Sequence, residues 1–264
     1  MSAPSIPDLG QEAVVPMDYQ PPAGTLRDRV ILITGAANGL GRAAAMACAD
    51  AGARVILLDK ALKQLERLYD ELTAAGAPEP LIHPMNLEGV GPAEFLELAT
   101  AVDQQFGRLD GLLHSASMLG ELSPMQQYDP ELWARTLHVN INAPFLLNQV
   151  CIPLLKRSKD ARIVFTSDRT GRLGRAFWGA YGVANGALET MMEILALELG
   201  ANSTVRINSF DPGAVNTGLR RQAYPAEDTA ALSQPDDLAA CYVYMLGPDS
   251  RALHGRRLGV ASIT

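Results

Sequence analysis

Apolar residues fall in short blocks along this chain, separated by longer segments in which they recur every three or four positions. Val30-Ile31-Leu32-Ile33 is a run of four apolar residues, three of them β-branched. Such a run is the pattern of a strand covered on both faces, as in a parallel sheet. Comparable blocks place strands over 27–34, 54–59, 81–85, 109–114, 162–166, 205–210 and 257–261. Between them the spacing becomes helical. Leu62, Leu65, Leu68 and Leu72 make one face of a helix over 61–75, and further helices are expected over 40–51, 92–106, 179–199 and 235–246. The helix over 179–199 carries a stripe of Ala184, Ala187, Leu188, Met191, Leu195 and Leu199. A longer helical region over 130–156 is expected to bend near Pro144. Strand and helix alternate throughout, which predicts an α/β fold: a Rossmann-type, doubly wound parallel sheet of about seven strands with helices on both faces. Residues 1–24 hold five prolines and little periodicity, and are expected to be a disordered or extended arm before a single domain over 25–264.

Three glycines, Gly35, Gly39 and Gly41, stand between the first strand and the first helix. A glycine-rich turn there brings backbone N–H groups close to a phosphate, and the helix N-terminus adds its partial positive charge. Glycine turns also occur for conformational reasons alone. Here an acid, Asp59, closes the second strand about twenty residues further on, where it can accept hydrogen bonds from ribose hydroxyls. These features predict a dinucleotide site. Asp59 would repel a 2′-phosphate, so NAD is preferred and NADP is less favoured, with Lys60 pulling the other way.

The formal net charge of −7 argues against a nucleic-acid surface. No apolar run is long enough for a membrane span, and no basic, apolar leader begins the chain. Cys48, Cys151 and Cys241 are widely spaced in apolar surroundings and read as free buried thiols of a cytoplasmic protein. His83, His114, His138 and His254 have no metal-ligand spacing, so no metal is expected.

The order Thr34-Gly35-x-x-x-Gly39-x-Gly41 resembles the short-chain dehydrogenase/reductase family, and the resemblance extends from about Leu26 to the C-terminus. Within the family the layout is most like the bacterial YciK-like oxidoreductases, on the stretches 109–113, 139–145 and 179–181. The resemblance implies an NAD(P)-dependent oxidoreductase acting on a carbonyl or alcohol, and a homodimer or homotetramer. It assigns the general acid/base to Tyr181 and a proton-relay role to Asn140. It places Gly35, Asn38, Gly39, Leu40, Gly41, Asp59, Asn86, Leu87, Ser115, Ala116, Tyr181, Asn185, Pro212, Gly213, Val215 and Thr217 against the cofactor.

Two positions depart from the family pattern. Four residues after Tyr181 the family has a lysine; this chain has Asn185. The family's serine falls on Asp168, and the adjacent Ser167 points to the other side of the strand end. A cation is lost and an anion gained beside Tyr181, and both changes disfavour the phenolate. Asp168 has three readings: an acid paired to Arg169, Arg172 or Arg175, a protonated donor to a carbonyl oxygen, or a loss of function. Two milder departures lie in His114-Ser115-Ala116-Ser117 and in Asn86, where the family has Asn-Asn-Ala-Gly and an aspartate. Arg220 and Arg221 can receive an anionic substrate or form a solvated face. A dinucleotide-binding protein without turnover, serving as sensor, scaffold or silent partner, is the alternative.

Overall fold

The computed structural model describes residues 9–200 and 203–260. Its centre is an eight-stranded, all-parallel sheet in the order β1-β8-β7-β6-β5-β2-β3-β4. The strands are β1 (Glu12–Val15), β2 (Val30–Thr34), β3 (Arg54–Asp59), β4 (Leu81–Pro84), β5 (Gly111–His114), β6 (Arg162–Thr166), β7 (Arg206–Asp211) and β8 (Arg256–Val260). All five residues of β2 are buried, as its apolar run requires. Ala261, expected to end the last strand, lies outside the described residues.

Helices α1 (Gly39–Asp50), α2 (Leu62–Ala74) and α8 (Ala239–Leu246) pack with one core; α3 (Pro92–Phe106), α5 (Ala143–Leu155) and α6 (Gly179–Leu199) pack with the other. Helix α4 (Pro130–Leu137) runs into α5 through a π-helical turn, His138–Asn142. The expected bend therefore sits just before Pro144, whose ring nitrogen cannot donate to the carbonyl of Asn140 four residues back.

Two expectations change. Residues 12–15 of the arm form β1, which adds to the open edge of β8 with Glu12 opposite Arg257 and Val15 opposite Val260. The open edge supplies a row of unpaired backbone groups, and that pairing, rather than hydrophobic periodicity, orders the segment. It accounts for the eighth strand. Residues 1–8 of the expected arm lie outside the described residues. On α6 the buried face is also wider than the apolar stripe, whose Ala184, Leu188 and Leu199 are buried with Met191 and Leu195 packed beside them. Tyr181, Asn185, Glu189, Met192 and Ala196 are buried, whereas Ala187 is exposed. The helix turns its polar residues inward because partners wait there.

Chain order reverses at β2: β3 and β4 extend to one side of it, while β5 lies on the other. Ligands of such sheets bind at the carboxyl ends of the strands flanking this switch point. The loops after β2 and β5 meet there. Thr34 Oγ1 accepts the backbone N–H groups of Ser115 and Ala116, each at 3.1 Å, and joins the two loops.

Candidate active site

A cavity of about 540 Å³ opens along the carboxyl ends of the strands. Every residue expected to hold the dinucleotide lines it, as do Asp168 and Asn185, while Asn140 lies outside it. At the phosphate end the glycines are needed for separate reasons. Gly35 has φ +68° and packs so closely that an added Cβ would stand 2.8 Å from the Ala116 backbone. A Cβ on Gly41 would collide with the Gly35 carbonyl oxygen. Gly39 has φ +52° and opens α1 without any side-chain cap from Asn38. The first-turn N–H groups are thus left to meet an anion, as a pyrophosphate requires.

Asp59 is tied more tightly than its sequence position suggests. Its carboxylate accepts the backbone N–H groups of Ala37 at 3.1 Å and Ala61 at 3.0 Å. It therefore pins the glycine loop to the end of β3 as well as facing the cavity. Lys60 is paired with Glu88 at 2.6 Å. Asn86 accepts the Glu88 backbone N–H at 3.2 Å.

At the other end, Tyr181 is 7 % exposed and sits in a small cluster with Leu119, Trp178 and Ala223. Burial pushes its phenol well above the ordinary tyrosine range, and the Asp168 charge adds to the rise. Asn185 turns back along its own helix, its amide donating to the Tyr181 main-chain oxygen at 3.0 Å. Asn140 is buried and both ends of its amide are held by Met118: Oδ1 accepts Met118 N–H and Nδ2 donates to Met118 O, each at 2.8 Å. Its side chain thereby anchors the loop after β5. Beside the main cavity, Ser117, Asn140 and Asn185 border a second space of about 10 Å³, the scale of one water molecule.

The ion pairs expected for Asp168 are absent among the described residues. Its carboxylate instead accepts the Thr170 backbone N–H at 2.7 Å. Arg169 stands 3.6 Å from Asp211, and Arg172 pairs with Glu12 at 3.3 Å and with Glu189 at 3.1 Å. Arg175 donates to the Tyr224 hydroxyl. Ser167 points away from Asp168, as strand alternation requires, and donates to Glu189 at 2.6 Å. Arg220 and Arg221 do not offer free cations either. Arg220 makes a two-pronged pair with Glu227, at 2.5 and 2.6 Å, and Arg221 donates to Asn216 at 2.6 Å. The segment 214–234 carries local structure of its own. Thr217 caps α7 (Gly218–Ala223) by accepting Arg220 N–H, and Val215 bridges Ser233. Gly213, at φ +72°, donates its N–H to Asp211 at 2.9 Å.

Sequence reasoning missed Glu189 and Asp211. Glu189 is 2 % exposed and gathers Ser167, Ser209, Arg172 and Arg257 around one carboxylate. Its only signal was a charged residue one turn past Asn185 on the Tyr181 side of the helix. Asp211 is also buried; burial raises its pKa, and Asp168 adds to the rise against the opposing Gly213 N–H.

The sheet order, the glycine cradle at the switch point and a buried tyrosine at the far end define a dinucleotide-binding α/β protein. The sequence model of the short chain dehydrogenases matches residues 29–228, and the chain belongs to that family. It is 39% identical to the Escherichia coli K12 oxidoreductase YciK over 239 residues, 90% of this chain and 94% of that one. The structure of a short chain dehydrogenase from Pseudomonas syringae superposes with a TM-score of 0.90 at 48% identity, covering 92% of this chain and 98% of that one. A short chain dehydrogenase from Escherichia coli CFT073, complexed with NADPH, superposes at 0.87 with 38% identity, covering 90% and 99%.

Proposed function

We propose that this protein is a nicotinamide-dinucleotide-dependent oxidoreductase whose substrate reacts beside Tyr181. The observation that carries the reading is one continuous cavity, with the Gly35–Gly41 loop and Asp59 at one end and Tyr181 at the other. When bound, the dinucleotide supplies or accepts a hydride at its nicotinamide ring. Gly39, Leu40 and Gly41 would hold its pyrophosphate through backbone N–H groups and the α1 N-terminus. Asp59 would face the adenosine ribose, Asn86 and Leu87 the adenine, and Pro212, Gly213, Val215 and Thr217 the carboxamide. Tyr181, kept protonated by burial and by Asp168, offers its hydroxyl to the reacting group. Asp168 takes the position that orients the substrate. Asn185 keeps a polar contact near the ribose without supplying charge. Pro144 leaves the Asn140 carbonyl without its usual helical donor, which suits that carbonyl to a relay through the small space beside Ser117.

For the cofactor, Asp59 favours NAD, whereas the relative from Escherichia coli CFT073 carries NADPH. We propose that both dinucleotides bind and that Asp59 sets their ratio. Calorimetric titration with NAD, NADH, NADP and NADPH tests this; binding of none would overturn the oxidoreductase reading.

A second reading, binding without turnover, is favoured by one observation: among the described residues Asn185 stands where the family has lysine, and the cavity-lining Arg220 is paired with Glu227. Oxidation of NADH or NADPH across a carbonyl and imine panel, lost in Tyr181→Phe, would reject it. We further propose a homodimer or homotetramer through α5 and α6. Phe145, Val183, Ile194 and Leu197 of these helices are each about half exposed. A monomer by light scattering would contradict the assembly. Among the described residues no helix is long and apolar enough to cross a membrane. We place the protein in the cytoplasm on its three free, buried cysteines, a placement that cell fractionation checks.

A further inference from the structure

The cations around Tyr181 are already engaged. Arg169 lies near Asp211, Arg172 pairs with Glu189 and Glu12, and Arg220 pairs with Glu227. Arg175 donates to Tyr224 and stacks over Trp178 at 5.4 Å. Asp168 differs from the other carboxylates of this region. It lines the cavity, accepts a single backbone N–H, and has no ion-pair partner among the described residues. The Tyr181 side chain is more than nine-tenths buried and borders the same cavity, with the Asn185 and Ser117 side chains near its hydroxyl and the Asp168 charge acting on it. The Asp168 carboxylate thus brings unspent accepting capacity to the part of the cavity that Tyr181 borders. Beside them the wall is apolar, formed by Leu119, Trp178 and Ala223.

Reduction of a carbonyl builds negative charge on its oxygen. A carboxylate at the orienting position opposes that charge, and no lysine offsets it. A protonated amine or an iminium has the complementary character. Its nitrogen brings positive charge, and each N–H it bears is a donor, while the carboxylate and a neutral phenol oxygen are acceptors.

We propose that the substrate end of this cavity takes a small organic cation, an amine or iminium whose charged nitrogen lies between Asp168 and Tyr181 and whose hydrocarbon body lies against Leu119, Trp178 and Ala223. The proposal rests on the dinucleotide-dependent reading above and names the substrate class of the same site. It makes the exchange of lysine for Asn185 part of the specificity, because a lysine there would repel the ligand.

The test is equilibrium binding to the full chain saturated with oxidised dinucleotide. Benzylamine, protonated at neutral pH, is compared with benzyl alcohol and benzaldehyde, which share its ring and reach. The amine is expected to bind at least about tenfold more tightly than either, the scale of one hydrogen-bonded charge. In Asp168→Asn, which retains an oxygen to accept the Thr170 N–H, the amine should lose about tenfold while the alcohol changes little. Asn185→Lys should weaken the amine in the same direction and serves if Asp168→Asn melts early. Saturable dinucleotide binding without an amine preference, including no binding of any probe, overturns this proposal alone. So does an amine affinity that both variants leave unchanged. Alcohol and aldehyde binding ahead of the amine would return Asp168 to the role of a protonated donor to a carbonyl. Failure to bind any dinucleotide overturns the underlying reading, and this proposal with it.

Discussion

Asn185 donates its side-chain amide to the main-chain oxygen of Tyr181 at 3.0 Å, one turn back on the same helix. The position that brings a cation to the tyrosine in the family resemblance is here folded onto its own backbone. A cation restored there would still face the Asp168 charge, which raises the Tyr181 pKa, so both positions are changed together. Asp168→Ser with Asn185→Lys is expected to lower the Tyr181 pKa and to raise carbonyl reduction by at least about tenfold over the parent, since one cation near the phenol is worth one or more powers of ten in its ionisation. Spectroscopic titration of the phenolate and turnover with a carbonyl panel check it. A double variant with the parent's titration curve would refute the electrostatic account.

Gly41→Ala forces a methyl group into the Gly35 carbonyl oxygen. The backbone on both sides belongs to the phosphate cradle, so the clash cannot be relieved by a side-chain rotation. Loss of dinucleotide binding is expected, with a stability cost of about 1–3 kcal/mol. Calorimetry and a urea titration separate the two effects, and unchanged binding would show that the loop is only a turn.

Asp59→Asn keeps an oxygen to accept the Ala37 or Ala61 N–H and removes the charge. Affinity for NADP should rise several-fold to about tenfold relative to NAD. An unaltered ratio would mean that Asp59 serves the loop alone.

Glu189→Ala takes the shared acceptor from Arg172, Arg257, Ser167 and Ser209 at once. Both arginines are part-exposed and keep a second carboxylate, Glu12 or Glu193, so the loss falls mainly on the buried Ser167 and Ser209 hydroxyls, about 1–3 kcal/mol for each one left unsatisfied. Chemical denaturation should record a loss on that scale, while a change below about 1 kcal/mol would show that the two hydroxyls find water or another acceptor instead.

His114 is 4 % exposed, stacks on Phe165 with ring centroids 4.7 Å apart, and burial lowers its pKa to about 4. The unfolded imidazole titrates near its ordinary value of about 6.5, so between the two values the unfolded chain binds more protons. Stability should therefore fall as the pH drops from about 6.5 to 4, by up to about 3 kcal/mol from this group. His83 and His254, also lowered by burial, act in the same direction. His114→Asn should flatten part of the slope in urea midpoints taken across that range. An identical slope in the variant would remove His114 from the account.

The apolar blocks and helical spacings determined the alternation of strands and helices, and with it the parallel sheet. Buried β-strands and capped amphipathic helices are local patterns, so their residues carry the signal directly. The glycine order after β2 and the acid closing β3 marked the phosphate end for the same reason: a tight turn constrains the residues that form it. Tyr181, Asp168 and Asn185 were placed by the family resemblance, position by position along the chain. Their partners could not be placed so, because hydrogen bonds and ion pairs join residues far apart in sequence. Only the folded chain decided that Arg172 serves Glu12 and Glu189 rather than Asp168. It also decided that both oxygens of Asp59 are claimed by backbone N–H groups, and that residues 12–15 close an open sheet edge. Such choices depend on which groups arrive unsatisfied at the same place, and that is a property of packing rather than of any one segment.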